Sequence, residues 1–148
     1  MATVVILEGD ETGQELLAEA LRVLQPGVTG APLEFVAFDL SLPARTRCAS
    51  APCSRKPRTA LRRGWRAGNI ANPMAMILAG AAMLAYVDDP ASQRASRAIY
   101  EATFHAVSRG VRTVDRGGDA STTEFTDEVI RLVRDRVGVG RRGGGQGI

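Results

Sequence analysis

The chain opens on "TVVIL", residues 3–7, an unbroken β-branched and apolar run that ends in "EGD". A short apolar run closed by turn residues predicts a buried strand. From Gly13 the period changes, with Leu16, Leu17, Ala20, Leu21 and Leu24 recurring at three and four residues. That spacing predicts one face of a helix, stopped by "QPG" at 25–27. "LEFVAFDL", 33–40, alternates and predicts a second strand. Strand, helix, strand with short links is the opening of an α/β layer.

Residues 41–66, "SLPARTRCASAPCSRKPRTALRRGWR", follow neither period, and Pro, Ser, Ala and Arg dominate them. Irregular structure is expected there. Order returns at Gly68. In "NIANPMAMILAG", Pro73 suits the first helical position, where a missing amide hydrogen costs nothing. Asn72 before it can cap the helix by accepting a bond from a free backbone amide. The uncharged run then continues to Val87, with Met74, Met76 and Met83 read as core packing. A second helix is predicted from Pro90 to Ser108, with Ala95, Ala98, Ile99, Ala102, Phe104 and Val107 inward. "VRTVDRGGDA" reads as a strand-and-turn connector. The last helix opens in "STTEFTDEVIRLVRDRV", where Ser121 and Glu124 have capping-box spacing. Its apolar face is Phe125, Val129, Ile130, Leu132 and Val133. The pattern divides the chain into a strand–helix–strand unit (1–40), a basic irregular insert (41–67), a helical segment (68–137) and a glycine-rich disordered tail (138–148). At 148 residues these together make one domain.

Charge sharpens the boundary at 41. Residues 1–40 carry seven acids and only Arg22 as a base, whereas residues 41–87 carry eight bases and no acid. Residues 88–148 are nearly balanced, ten Arg against nine acids. Cys48 and Cys53 have neither disulfide-framework nor zinc spacing, so a reducing compartment is expected. "MATVVILEGDE" has no basic flank of a secretory signal. The uncharged run from Pro73 to Val87 is fifteen residues, short of the ~20 a membrane span needs. A cytoplasmic protein without membrane contact is expected.

Two blocks resemble one family. "VVILEGDETGQELLAEALRVL" is similar to the start of the isocitrate and isopropylmalate dehydrogenases, whose first strand runs into Gly-Asp-Gly-Ile-Gly-Pro-Glu. "GNIANPMAMILAGAAML" and "TVDRGGDASTTEFTDEVI" resemble that family's C-terminal cofactor segment, in the same order. The resemblance implies an α/β fold, a partial large domain of that family built from the strand–helix–strand unit and three C-terminal helices. It also implies NAD(P)- and magnesium-dependent oxidative decarboxylation of a 2-hydroxy acid of isocitrate or 3-isopropylmalate type. Carried over residue by residue, Asn72 matches the asparagine that reads the adenine edge, Ile70 its apolar neighbour, and Asp115 the aspartate of a turn near the adenosine. In NADP-specific bacterial relatives a Tyr precedes that aspartate and an Arg follows the turn. Val114 and Gly118 stand there here, a hint toward NAD.

The departures decide what the resemblance is worth. Family catalytic groups lie between the two blocks, and here that interval is only 41–66. The chemistry needs carboxylates for the metal, a cationic clamp for substrate acids and positioned acid/base groups. Lys56 is the only lysine, Tyr86 and Tyr100 fall at unrelated helical positions, and no acid stands between Asp39 and Asp88. No catalytic residue and no metal ligand can be mapped. "TALRRGWRAG" replaces the family's contact loop before the Ile-Ala-Asn-Pro run, and Glu11, Thr12 and Gln14 replace Gly, Ile and Pro in the first turn.

The chain therefore reads as a truncated or internally deleted member, inactive alone, with NAD binding weak or lost and the magnesium ligands absent. For Asn72, capping alone and capping plus adenine contact both stand. Expected partners are a second copy, giving a homo-oligomer, or an intact relative. The eight bases of 41–87 are the one argument for nucleic acid. Trp65 is the only aromatic in the insert, a poor stacking platform, so nucleic acid is not the expected partner. Residues 41–67 fit either a selected segment or GC-rich coding sequence read out of frame. His105, on the apolar side of its predicted helix without a nearby ligand pair, reads as structural.

Overall fold

The computed structural model describes residues 2–7, 11–38 and 68–138. The insert and the tail from residue 139, with Cys48, Cys53, Lys56 and Trp65, lie outside the described residues. Two strands, β1 (Ala2–Leu7) and β2 (Leu33–Phe38), pair in parallel from Ala2 with Leu33 to Leu7 with Phe38. A parallel pair cannot be joined by a tight turn. The crossover here is α1 (Glu11–Leu24) and a single further turn, α2 (Pro26–Thr29). The expected stop at "QPG" thus ends α1 but starts that turn, because Pro26 is preset for a first helical position. Gly30 closes α2 with φ +66, its N–H bonded to the Pro26 carbonyl.

Three longer helices follow: α3 (Met74–Ala85), α4 (Pro90–Ser108) and α5 (Thr122–Val137). α3 packs on α4, α4 on α5, and α1 on both α3 and α5. Their shared core holds Val23, Leu24, Ile77, Leu84, Ile99, Phe125, Val129 and Val133, all buried. All five apolar residues expected on the inner face of α5 are buried. Met74, Met76 and Met83 pack against this core from its margin. Arg22 ties α1 to α5, bonding Glu19 at 2.6 Å within its own helix and Asp127 across the interface.

Two expectations fail. β1 is not a buried strand, because its positions alternate between half-buried and exposed. Val5, Leu7 and Val36 lie 58%, 52% and 43% exposed, while Ala2, Val4 and Phe35 pack against the buried core. Among the described residues, helices cover one face of the sheet only, although parallel sheets are ordinarily covered on both. Phe104 is 55% exposed rather than inward. The buried stripe of α4 runs through Ala95, Ile99, Ala102, Thr103 and Ala106. A residue two positions beyond Ala102 is turned about 200° from it.

Thr103 holds a core position because its hydroxyl donates to the Ile99 carbonyl at 2.8 Å. Thr126 does the same to Thr122 at 2.9 Å, and Ser96 donates to Ala81 of α3 at 2.6 Å. Among the described residues no buried side-chain polar atom lacks a partner, as buried hydroxyls require. No helix among them is long and apolar enough to cross a membrane.

Candidate nucleotide-binding site

The site begins with the entry into α3. Pro73 already has helical backbone angles (φ −82, ψ −5) and its carbonyl accepts the Ile77 N–H at 3.0 Å. The residue before it therefore acts as the cap, and Asn72 Oδ1 accepts the Met74 N–H at 2.9 Å. This is the role expected from local sequence alone.

The other end of the same amide reaches across the fold. Asn72 Nδ2 donates to Asp115 Oδ2 at 2.9 Å, over a separation of 43 residues. Both partners fix the amide's orientation, because oxygen must face the N–H and nitrogen the carboxylate. Asp115 sits in a 3₁₀ turn (Val114–Arg116) within the connector between α4 and α5. Thr113 and Ala120 form a β-bridge at the ends of that turn. Thr113 Oγ1 donates to the second carboxylate oxygen at 2.5 Å. The Asn72 amide first, and then the Thr113 hydroxyl, hold the Asp115 carboxyl below its ordinary value. Arg116, 3.9 Å away and mostly exposed, adds little.

The sign follows from the depressed value. The stabilising contribution of Asp115 is fully present above the ordinary carboxylate value and is lost as pH falls through the lower folded one. An NMR titration of the Asp115 carboxyl is expected to give a midpoint below 3.8, the ordinary value. In an Asn72→Ser variant the midpoint is expected to move back up. A wild-type midpoint at or above 3.8 would contradict the geometry.

A residue that the sequence reading passed over anchors the loop. Asn69 adopts φ +56, the left-handed region that asparagine tolerates better than most residues. Its carbonyl accepts the Thr122 N–H at 3.0 Å, and its Oδ1 accepts Thr123 N–H at 2.9 Å and Thr123 Oγ1 at 2.7 Å. Thr122 Oγ1 donates to the Ala71 carbonyl at 2.7 Å. From α1, Glu15 Oε1 accepts the Asn69 N–H at 3.1 Å. The expected capping box is also formed: Ser121 Oγ accepts the Glu124 N–H at 3.2 Å and Glu124 accepts the Ser121 N–H at 2.8 Å. The opening amides of α5 are thus committed within the protein, and this helix end is not free for an anion.

All three residues expected to contact cofactor lie on this assembly. Asn72 and Asp115 are hydrogen-bonded to each other, while Ile70 stands two residues before Asn72 and is 57% exposed. Val114, beside Asp115, is 60% exposed. An asparagine side chain supports two donated and two accepted bonds. Asn72 uses one of each here, leaving one N–H and one lone pair. That remaining pair matches the acceptor and donor on the edge of an adenine base. Ionised Asp115 offers an acceptor to a sugar hydroxyl.

Among the described residues no group of three His, Cys, Asp or Glu could hold an ion, and residues 41–67 contain no Asp, Glu or His. His105 faces Arg136, with Nδ1 3.1 Å from the guanidinium, and among the described residues it belongs to no group that could hold an ion.

Residues 65–129 match the sequence profile of the family described as isocitrate/isopropylmalate dehydrogenase. Over 65 residues the chain is 40% identical to an isocitrate/homoisocitrate dehydrogenase of Thermus thermophilus, covering 44% of this chain and 19% of that protein. It is 45% identical over 67 residues to an isopropyl malate dehydrogenase of Aspergillus rugulosus, covering 45% and 18%. A 3-isopropylmalate dehydrogenase of Photobacterium profundum is 41% identical over 69 residues, covering 45% and 18%. The chain spans about a fifth of the length of these curated relatives. The matched segment contains Ile70, Asn72 and Asp115 and begins after the strand–helix–strand unit. No solved structure matches the chain.

Proposed function

Because residues 65–129 belong to the isocitrate/isopropylmalate dehydrogenase family, we propose that this chain carries the adenosine end of a nicotinamide-cofactor site. By itself it binds NAD weakly and does not oxidise a 2-hydroxy acid. The observation that carries the first part is the Asn72–Asp115 hydrogen bond. It brings two residues of separate segments to one exposed point, each with hydrogen-bonding capacity left for a base and a sugar. Ile70 and Val114 supply exposed apolar surface beside them. With so few groups engaged, an affinity on the order of millimolar is expected. NAD is favoured over NADP because Asp115 is held ionised, and a 2′-phosphate would meet a like charge.

The second part rests on residue types. Hydride removal followed by decarboxylation calls for metal-binding carboxylates, a cationic clamp and a proton-transfer pair. Residues 41–87 hold no carboxylate, and the single lysine, Lys56, lies among arginines in "SRKPR". Among the described residues no group of three His, Cys, Asp or Glu could hold an ion, and no catalytic step is assigned to any of them. Magnesium, isocitrate or 3-isopropylmalate and NAD added together to the full chain are expected to give no reduced cofactor. Turnover would overturn the inactive reading. Absence of NAD binding would overturn the nucleotide reading.

A further inference from the structure

A second site lies at the opposite end of α5. Residues Thr122, beside Asn69, and Arg136 are separated by fourteen helical steps, about 21 Å along the axis. There the first turns of α4 and the last turn of α5 enclose an open cleft of about 420 Å³. Pro90, Ala98 and Val137 give its apolar lining, and Arg94, Arg97, Glu101 and Arg136 its charged lining. Such a volume is in the range of small-molecule sites.

The charges in this cleft do not cancel. Glu101 pairs with Arg136 at 3.5 Å, and Arg136 also donates to the Leu132 carbonyl and faces His105. Among the described residues Glu101 is the only acid lining the cleft, and it is paired with Arg136. Arg94 and Arg97 form no ion pair among the described residues. They stand three residues apart on one helix, where like charges are close neighbours and repel. Each guanidinium is a planar fork that fits a carboxylate or a phosphate edge through two parallel bonds. Pro90, Ala98 and Val137 add apolar lining that a short carbon skeleton can meet.

We propose that this cleft binds a small dianion, a phosphate monoester or a short dicarboxylate, held between Arg94 and Arg97. The adenosine site shares no residue with it, so the two stand or fall separately. The test uses the full chain, titrated with inorganic phosphate and separately with succinate at fixed ionic strength, and read by calorimetry. Binding of either one is expected, with the tighter of the two identifying the source chemistry. An Arg94→Gln/Arg97→Gln variant is expected to bind at least about tenfold more weakly, the loss of one charge-assisted contact or more. Both side chains are exposed, so the variant should keep its helical circular dichroism. An Arg94→Lys/Arg97→Lys variant keeps the charge but loses the forks, and is expected to fall between. Unchanged binding in the glutamine variant, or no binding of either anion by the wild type, would overturn the proposal.

Discussion

Replacing Gly118 by alanine is expected to collapse the connector between α4 and α5. A Cβ at this position would lie 2.1 Å from the Arg112 carbonyl oxygen and 2.6 Å from its carbonyl carbon. Those are backbone atoms, and the oxygen is already held by the Ala120 N–H at 2.9 Å. No side-chain rotation relieves such a contact, so the connector must move. A loss of about 3 kcal/mol or more is expected, the upper part of the range for overpacking. Because Asp115 sits three residues away, its bond to Asn72 should fail as well. Gly117→Ala is the control. Open space surrounds that position, but its φ of +72 strains any L side chain, a cost of about 1–2 kcal/mol. Urea unfolding of both variants, with the Asn72 side-chain amide followed by NMR, reads the two effects apart. Equal destabilisation by the two substitutions would mean that the close approach to Arg112 is absent.

Phe125→Ala should be at least as damaging to stability. The ring is 1% exposed and stands one turn into α5, within the core shared by the helices. Truncating a buried phenylalanine costs about 3–5 kcal/mol, through lost transfer energy and the cavity left behind. Against a total of about 5–15 kcal/mol for an ordinary domain, that is a large share. Phe125→Leu keeps most of the volume and should cost less than about 1.5 kcal/mol. Chemical denaturation of both variants checks this, and a loss under about 1 kcal/mol for alanine would remove Phe125 from the core.

Much of the fold was legible because its signals are local. The bounds of α4 at Pro90 and Ser108, the Ser121–Glu124 capping box and the Asn72 cap each follow from a few adjacent residues. What failed depended on surroundings. Phe104 was assigned inward for its residue type, while Thr103 took the core position by bonding a carbonyl one turn back. "TVVIL" has the composition of a strand covered on both faces, and among the described residues only one face is covered. The site divides the same way. Only resemblance to a family links Asn72 to Asp115 in the sequence, because nothing in local spacing connects positions 43 residues apart. Asn69 was invisible for a related reason. Its value lies in a left-handed backbone and in bonds to Thr122 and Thr123, 53 and 54 positions further along the chain.

The "GNIANP" loop therefore has two layers of meaning. One is structural: Asn69 fastens it to α5 and α1, and Asn72 starts α3. The other is the unused half of the Asn72 amide beside ionised Asp115. Serine at position 72 separates them, since it retains a cap for Met74 but reaches neither Asp115 nor a base. The decisive measurement is a titration of isotopically labelled full chain with NAD, followed at the amides of residues 69–74 and 113–118. Saturable shifts confined to those residues, at millimolar NAD and lost in Asn72→Ser, are the predicted result. No shifts there, or shifts that persist unchanged in Asn72→Ser, would contradict an adenosine site in this chain.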